Sequence, residues 1–255
     1  MALSLTPLKG IPIITPGLDL AEVIVKGLDS SNLELQDNDI IVIAQKIVSK
    51  SEGRLANLAT VTPSESAIEL GIKADKDPRL VELILRESNK VLRTRPGTII
   101  VEHKLGFICA SAGIDHSNVI GEGKANEEWV LLLPENPDET ARNIRKSLEK
   151  KYGVPIGVLI NDSHGRAWRI GTVGITVGIS GIPAVIDERG WKDLTGFKLR
   201  ITEVGAADEL AAAASLVMGQ AAEGTPIVHV RGFPYPLRES HLGELLRPKD
   251  QDLFR

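Results

Sequence analysis

Reactive sulfur and aromatic rings are scarce: 255 residues contain one cysteine, two methionines, three tryptophans, two tyrosines and four phenylalanines. A lone thiol, Cys109, cannot close an internal disulfide, so the chain is no disulfide scaffold and suits a reducing compartment. It lies in the apolar run Phe107-Ile-Cys-Ala110 and reads as a small core residue. So few rings leave no platform for stacking bases. A basic excess is also missing. Thirty Lys+Arg stand against 34 Asp+Glu, a net charge of −4, which argues against a nucleic-acid backbone as the main partner. Long apolar runs are absent, since the longest, Ile40 to Ala44 and Trp129 to Leu133, are strand-length. A bilayer needs about 20. Met1 to Gly17 is broken by Pro7, Pro12 and Pro16 and lacks the charged-then-apolar order of a secretory signal. The expectation is a cytoplasmic protein with no membrane and no nucleic acid among its partners.

The common nucleotide and hydrolase motifs are missing too. No G-x-x-x-x-G-K-[ST] loop occurs, because Gly123-Lys124 has Asn118 where the first glycine belongs. Gly121-Glu-Gly123 is followed by Asn126, not the third glycine of a dinucleotide fingerprint. The five histidines (103, 116, 164, 229 and 241) show no H-x-x-x-H or H-E-x-x-H spacing, so a zinc site is not expected. There is no G-x-S-x-G elbow.

What is there is an ordinary globular composition, 42% hydrophobic and 25% charged, with 24 glycines and 14 prolines that imply many turns. Asp39 to Ala44 reads as a buried strand, with further strands at Thr98–His103, Ile156–Asn161, Val173–Ile179 and Ile227–Val230. Thr62-Pro-Ser-Glu65 has the form of a capping box opening a helix that Gly71 ends. A second helix starts at Asp77-Pro78 and turns Leu80, Val81, Ile84, Leu85 and Ser88 to one side. Asn136-Pro-Asp-Glu139 opens a third, closed by Gly153, and alanine-rich Glu203 to Ala222 predicts a fourth. Helices and strands mix without a strict βαβ rhythm, so the expected class is α+β with mixed sheets. Asn118 to Asn126 is the most loop-like stretch, either a lobe junction or a surface loop.

Four polar clusters adjoin these elements. Gln45-Lys46 with Ser49-Lys-Ser-Glu-Gly-Arg54 follows a buried strand. Its cations suit phosphate oxygens, or they form a solvated helix face, where the Lys46/Lys50 pair is unfavourable unless an anion sits between. Gly113 to Asn118 offers Asp115 to a hard cation, or closes an Asx-turn. Ile160 to Arg169 delivers Asp162 and Ser163 to a strand end with Arg166 and Arg169 behind. This is a cation pair with cover for developing charge, or a charged hairpin tip. Met218 to Pro226 ends the alanine-rich helix with Gly224 as a plain C-cap, which would leave Asp208-Glu209 an exposed acidic pair.

Together these segments resemble the coenzyme F420-0:L-glutamate ligases (F420:gamma-glutamyl ligases). The matching stretches are Ser49-Lys-Ser-Glu-Gly-Arg54, Ala112-Gly-Ile-Asp-His-Ser-Asn118, Asn161-Asp-Ser-His-Gly-Arg-Ala-Trp-Arg169, Asp187-Glu-Arg-Gly190, Ala207-Asp-Glu-Leu-Ala211 with Leu216-Val-Met-Gly219, and Arg247 to Arg255. Each alone is weak, but in the family's order they cover nearly the whole chain. The resemblance implies one domain over 1–255, built as two intertwined lobes that dimerise, without the C-terminal flavin-binding domain of some relatives. It implies a GTP-dependent amide ligase. GTP would phosphorylate the acceptor carboxylate of F420-0, L-glutamate would displace phosphate, and further rounds would add γ-linked glutamates.

Carried over, the GTP contacts fall on Pro12, Ile13, Ile14, Thr15, Gln45, Lys46, Lys50, Asn118 and the turn Met218, Gly219, Gln220, Ala221, Ala222, Glu223, Gly224, Thr225. Metal ligands for two Mg²⁺ or Mn²⁺ ions fall on Asp115, Asp162, Ser163 and Gln220, and the family shows a K⁺ effect. Lys46, Lys50, Arg166 and Arg169 are assigned to phosphate or transition-state charge. The two arginines are read from local chemistry and are not carried over from the family. Ser163 stands where threonine is frequent and keeps the hydroxyl. Gln220 stands where an acid is also common and is a weaker hard-cation ligand. His164 stands where the family is usually apolar. Two alternatives stay open: the same chemistry on another carboxylate acceptor, and a non-catalytic metal–nucleotide binder.

Overall fold

The computed structural model describes residues 2–119 and 128–253. In chain order the elements are β1 (Ser4–Pro7), α1 (Leu20–Ser30), β2 (Ile40–Ala44), α2 (Gln45–Ser51), β3 (Leu55–Asn57), α3 (Glu65–Ala74), α4 (Pro78–Arg86), β4 (Ser88–Arg95) and β5 (Thr98–His103). They continue with β6 (Ile108–Ala110), β7 (Trp129–Leu131), α5 (Pro137–Tyr152), β8 (Gly157–Gly165), β9 (Thr172–Ser180), β10 (Ile186–Asp187), β11 (Glu203–Val204), α6 (Ala206–Met218) and β12 (Ile227–Arg231). The class is α+β with mixed sheets, as expected. The largest sheet runs β1-β12-β2-β8-β9, in which β2 and β8 pair parallel and the other neighbours antiparallel. Smaller antiparallel sheets are β4-β5-β6, β3-β7 and β10-β11.

Alternation along β2 sorts the core into two. Ile41 and Ile43 join the cluster that holds α1 and α5, whereas Ile40 and Val42 join the cluster that holds α6. The helices form where their ends are capped and their apolar stripes meet the sheet. Asp19 accepts from the Ala21 amide at 2.8 Å and starts α1, which buries Leu20, Val23, Ile24 and Leu28. Asn136 caps α5 ahead of Pro137, and Gly153, at φ 73°, ends it. A bulge on β9 leaves Val177 extra between the pairs Ile160–Gly178 and Asn161–Thr176. The amides beside it find side chains: Thr176 donates to Asp208 of α6 at 2.9 Å, and Ile179 donates to Asp138 of α5 at 2.8 Å. Two glycines admit those helices. A Cβ on Gly178 would lie 2.6 Å from Pro137, and one on Gly174 would lie 2.5 Å from the Ala211 carbonyl.

Several boundaries differ from expectation. The N-cap of α3 is Ser64, whose hydroxyl accepts from Ala67, and not Thr62; the helix runs through Gly71 to Ala74 because Asp75 supplies the left-handed residue. Ser88 belongs to β4. Glu203-Val204 is strand, and α6 stops at Met218 because Gly219 takes φ 73° and ψ −176°, a conformation open essentially to glycine alone. Gly224 is therefore a turn residue and not the helix cap. Asp208 is bound to the bulge, not a free surface acid. Cys109 is buried, as expected, and burial together with the charge of Asp162 pushes its thiol up to about 12. Of the loop-like stretch 118–126, residues 120–126 lie outside the described residues. Among the described residues, no helix is long and apolar enough to cross a membrane.

One buried ion cluster ties the sheet together. Asp39 opens β2 and accepts from Arg231 at 2.7 and 2.8 Å, from the His229 ring at 2.8 Å and from the Gln36 amide at 2.8 Å. Burial alone would raise its carboxyl. The Arg231, His229 and Gln36 bonds outweigh that and bring it to about 2. Replacing Asp39 by Asn is expected to cost about 3 kcal/mol at neutral pH in denaturant unfolding, since Arg231 loses its counter-charge. Because the folded value lies below the ordinary 3.8, this stabilisation is complete above about pH 4 and is lost as pH falls towards 2. The gap between wild type and variant should therefore close over that window. A gap that stays constant would contradict the assignment.

Candidate active site

Parallel strands open a crevice at their carboxyl ends, and here the β2–β8 pair does so beside the end of α6. The cleft has a volume of about 540 Å³. Ala44 pairs with Asn161, so Gln45 and Lys46 leave β2 alongside Asp162 and Ser163 of β8. The opposite wall is the turn from Met218 to Pro226, and Asp115, Ser117 and Asn118 enter from the segment after β6. That segment is anchored by reciprocal backbone bonds between Asp115 and Leu131.

Polar contacts knit these pieces together. Gln45 donates from Nε2 to Asp115 Oδ2 at 2.7 Å, and buried Ser49 donates to Gln45 Oε1 at 2.9 Å. Lys46 Nζ lies 3.3 Å from Asp115 Oδ1 and donates to Ser117 Oγ at 2.8 Å. Asn118 donates to the Ala221 carbonyl at 3.2 Å and joins the two walls. Burial raises the Asp115 carboxyl to about 6; the charge of Lys46 opposes this, Asp162 adds to it, and the bonds from Lys46 and Gln45 oppose it again. Lys50 is shifted down by burial and then by Lys46, with Asp115 opposing. The lysines thus line the cleft and do not form a solvated face. A carboxyl raised by burial and by a neighbouring aspartate, beside a lysine lowered by burial and by a neighbouring lysine, makes a site that an ionic ligand relieves.

The turn after α6 gathers backbone amides around a carboxylate. Ala221 donates its amide to Glu223 Oε2 at 2.8 Å. The amides of Glu223 and Ala221, then those of Gln220 and Ala222, hold the Glu223 carboxyl below its ordinary range. Successive backbone N–H groups converging on one carboxylate form a nest, the geometry that also receives phosphate. Gly219 makes room for it, since a Cβ there would meet Glu223 Cδ at 2.2 Å.

Of the residues assigned from sequence, Ile13, Gln45, Lys46, Lys50, Asp115, Asn118, Asp162, Ser163 and Met218 through Thr225 line this one cleft. Pro12, Ile14 and Thr15 do not, and Ile14 is core. Arg166 and Arg169 do not either. They lie beyond β8 in the turn to β9, where Arg166 donates to the Gly171 carbonyl at 3.1 Å. Asp162 and Ser163 sit within β8, not at its end, because the strand continues to Gly165. The sequence reading missed Asn161, Thr172, Ser215 and Ser117. Asn161 is buried and its Oδ1 has no partner, while its Nδ2 faces Met218 Sδ at 3.5 Å. Its place next to Asp162 at the end of an apolar run was the available signal.

For a divalent cation the chemistry of the donors fits. Asp115 and Asp162 supply carboxylate oxygens, and Ser163, Gln220 and Asn161 offer neutral ones to the same space. Among the described residues no group of three or more His, Cys, Asp or Glu gathers at ligand spacing. Further oxygens would therefore come from neutral side chains, water or a bound phosphate.

An oxygen-lined, lysine-flanked cleft of this kind has the chemistry to receive anionic groups and a hard cation. A family model described as F420-0:Gamma-glutamyl ligase matches residues 10–232. The chain belongs to this family. It is similar to the "Coenzyme F420:L-glutamate ligase" of Methanothermobacter thermautotrophicus, at 44% identity over the full length of both chains. Proteins of the same name from Methanococcus maripaludis (47% identity over 88% of each chain) and Archaeoglobus fulgidus (39%, all of this chain and 97% of the relative) are also similar.

The nest depends on glycine at 219. Gly219→Ala should speed hydrogen exchange at amides 221 to 223 by about tenfold or more, since the φ and the Cβ clash both oppose the turn. Exchange at wild-type rates would show that the turn holds without it.

Proposed function

We propose that this chain is a GTP-dependent amide ligase that adds L-glutamate to the carboxylate of coenzyme F420-0, and further glutamates by γ-linkage. The observation that carries the reading is the convergence of Asp115, Asp162, Lys46 and Lys50 on one cleft, in a chain alike from end to end to a protein of that name.

A carboxylate is a poor acyl donor because oxide is a poor leaving group. Its oxygen would attack the γ-phosphorus of GTP, breaking the β,γ-bridge and releasing GDP, to give an acyl phosphate. The amine of glutamate would then attack the acyl carbon. The C–N bond forms, the C–O bond to phosphate breaks, and one amine proton is lost. Lys46 and Lys50 hold phosphate oxygens, and the nest at 220–223 receives another phosphate group once Glu223 leaves it. Asp115, Asp162, Ser163 and Gln220 would hold Mg²⁺ or Mn²⁺, with two ions in all and K⁺ as a further ion. When bound, such ions supply positive charge that lets triphosphate and carboxylate approach. Ile13 and the 218–225 turn border the nucleotide. Arg166 and Arg169 lie outside the cleft and would act only if the β8–β9 turn closed over it. A homodimer would cover exposed apolar side chains such as Trp168, Ile170, Trp191 and Leu194.

The test is incubation with F420-0, L-glutamate, GTP and Mn²⁺, followed by mass analysis. One glutamyl addition per GDP formed is expected. GDP release only with a different carboxylic acid would move the activity to another acceptor, and intact GTP throughout would remove the ligase reading. Asp115→Asn should lower turnover on the order of 100-fold with the fold intact. Near-normal turnover would show that its charge is not used.

A further inference from the structure

His164 lies two residues beyond Asp162 on β8, so the two side chains share a face of the strand. Its Nε2 is 2.7 Å from Asp162 Oδ2. The contact can be made with Nε2 as the donor and the carboxylate oxygen as the acceptor. The ring is buried and wedged. Phe107 meets it at a centroid distance of 5.3 Å and a tilt of 59°, and Phe107 is itself stacked on His103 at 5.3 Å. The other ring nitrogen, Nδ1, is buried without a partner. No hydrogen bond among the described residues competes for the Nε2 proton, and none occupies Asp162 Oδ1. Asp162 meanwhile borders the cleft and His164 does not. The imidazole therefore touches the site only through this carboxylate.

We propose that His164 is a positioning residue that clamps Asp162. By donating from Nε2 to Oδ2 it fixes the carboxylate and leaves Oδ1 to meet a divalent cation in the cleft. This rests on the reading of the cleft as a cation-assisted nucleotide site. A packing role alone would not require the imidazole, because phenylalanine preserves an aromatic ring against Phe107 and lacks only the donor. The hydrogen bond adds what packing cannot: a fixed rotamer and a defined free oxygen. Partners of this kind typically change metal affinity 10- to 100-fold in characterised sites.

The experiment titrates Mn²⁺ alone into the full chain and reads free Mn²⁺ by electron paramagnetic resonance, with thermal melting alongside. His164→Phe should weaken Mn²⁺ binding about 10-fold with a melting temperature near that of wild type. His164→Gln, which brings back an N–H donor, should recover part of the loss, and Asp162→Asn should lose more. Wild-type affinity in His164→Phe, with affinity lost in Asp162→Asn, would overturn the clamp alone. Undiminished affinity in both Asp162→Asn and Asp115→Asn would overturn the cation reading and the clamp with it. Long-range ¹H–¹⁵N spectra of the wild-type imidazole supply a metal-free check. A proton on Nε2 is expected, and a ring protonated on Nδ1 alone would overturn the proposal.

Discussion

The parallel pairing of β2 with β8 is the constraint on which the site depends. Two parallel strands cannot be joined by a tight turn. The chain must leave Ala44 at one end of the strands and return to Gly157 at the opposite end, and residues 45–156 make that journey. On the way they build α2, the sheets β3-β7 and β4-β5-β6, and the segment that carries Asp115. The register Ala44–Asn161 then sets the start of α2 beside Asp162, and the returning connection lays Asp115 across from it. That pairing brings residues 45 and 162 to the same end of the strands, where the Asp115–Leu131 bridge holds residue 115.

Around that edge the protein holds charges in unfavourable company. Asp115 is pushed up by burial and by Asp162, and Lys50 down by burial and by Lys46. Gln45 and Lys46 occupy Asp115, and Glu223 occupies its own amide nest. The same side chains that stand in for ligands here are those whose chemistry would hold a nucleotide and its cation. The sheet carries the cost of this arrangement elsewhere, through the Asp39–Arg231–His229 cluster and through the aspartates that satisfy the β9 bulge. The carboxylates that stabilise the fold are bound by sheet amides and by the Arg231–His229 pair, whereas Asp115 is held by Gln45 and Lys46, which themselves line the cleft.

Much of this was legible in the sequence where local chemistry and tertiary structure agree. The Asn136-Pro137 start and Gly153 stop of α5 survive unchanged, and the runs expected as strands at 39–44 and 227–230 form β2 (Ile40–Ala44) and β12 (Ile227–Arg231). The reading failed where a tertiary partner overrides local signal. Gly71 does not stop α3, because the helix packs its glycine against Lys76 and Pro78. Glu203-Val204 pairs with β10 in preference to extending α6. α1 was missed altogether, although Asp19 and its apolar spacing could have revealed it. In the site, Asp115 and Asp162 stood out beside apolar runs, with turn readings left open, and the family resemblance named them metal ligands; the fold brings both to one cleft. Arg166 and Arg169 were chosen for nearness in sequence to Asp162, but β8 ends at Gly165 and both lie in the turn beyond it.

The central claim is that Asp115 and Asp162 share one divalent cation with a guanine nucleotide. Anomalous diffraction from crystals grown with Mn²⁺ and GDP tests it most directly. The account predicts a manganese peak within coordination distance of a carboxylate oxygen of each aspartate and of a phosphate oxygen. A nucleotide bound elsewhere, or manganese touching neither aspartate, would contradict it.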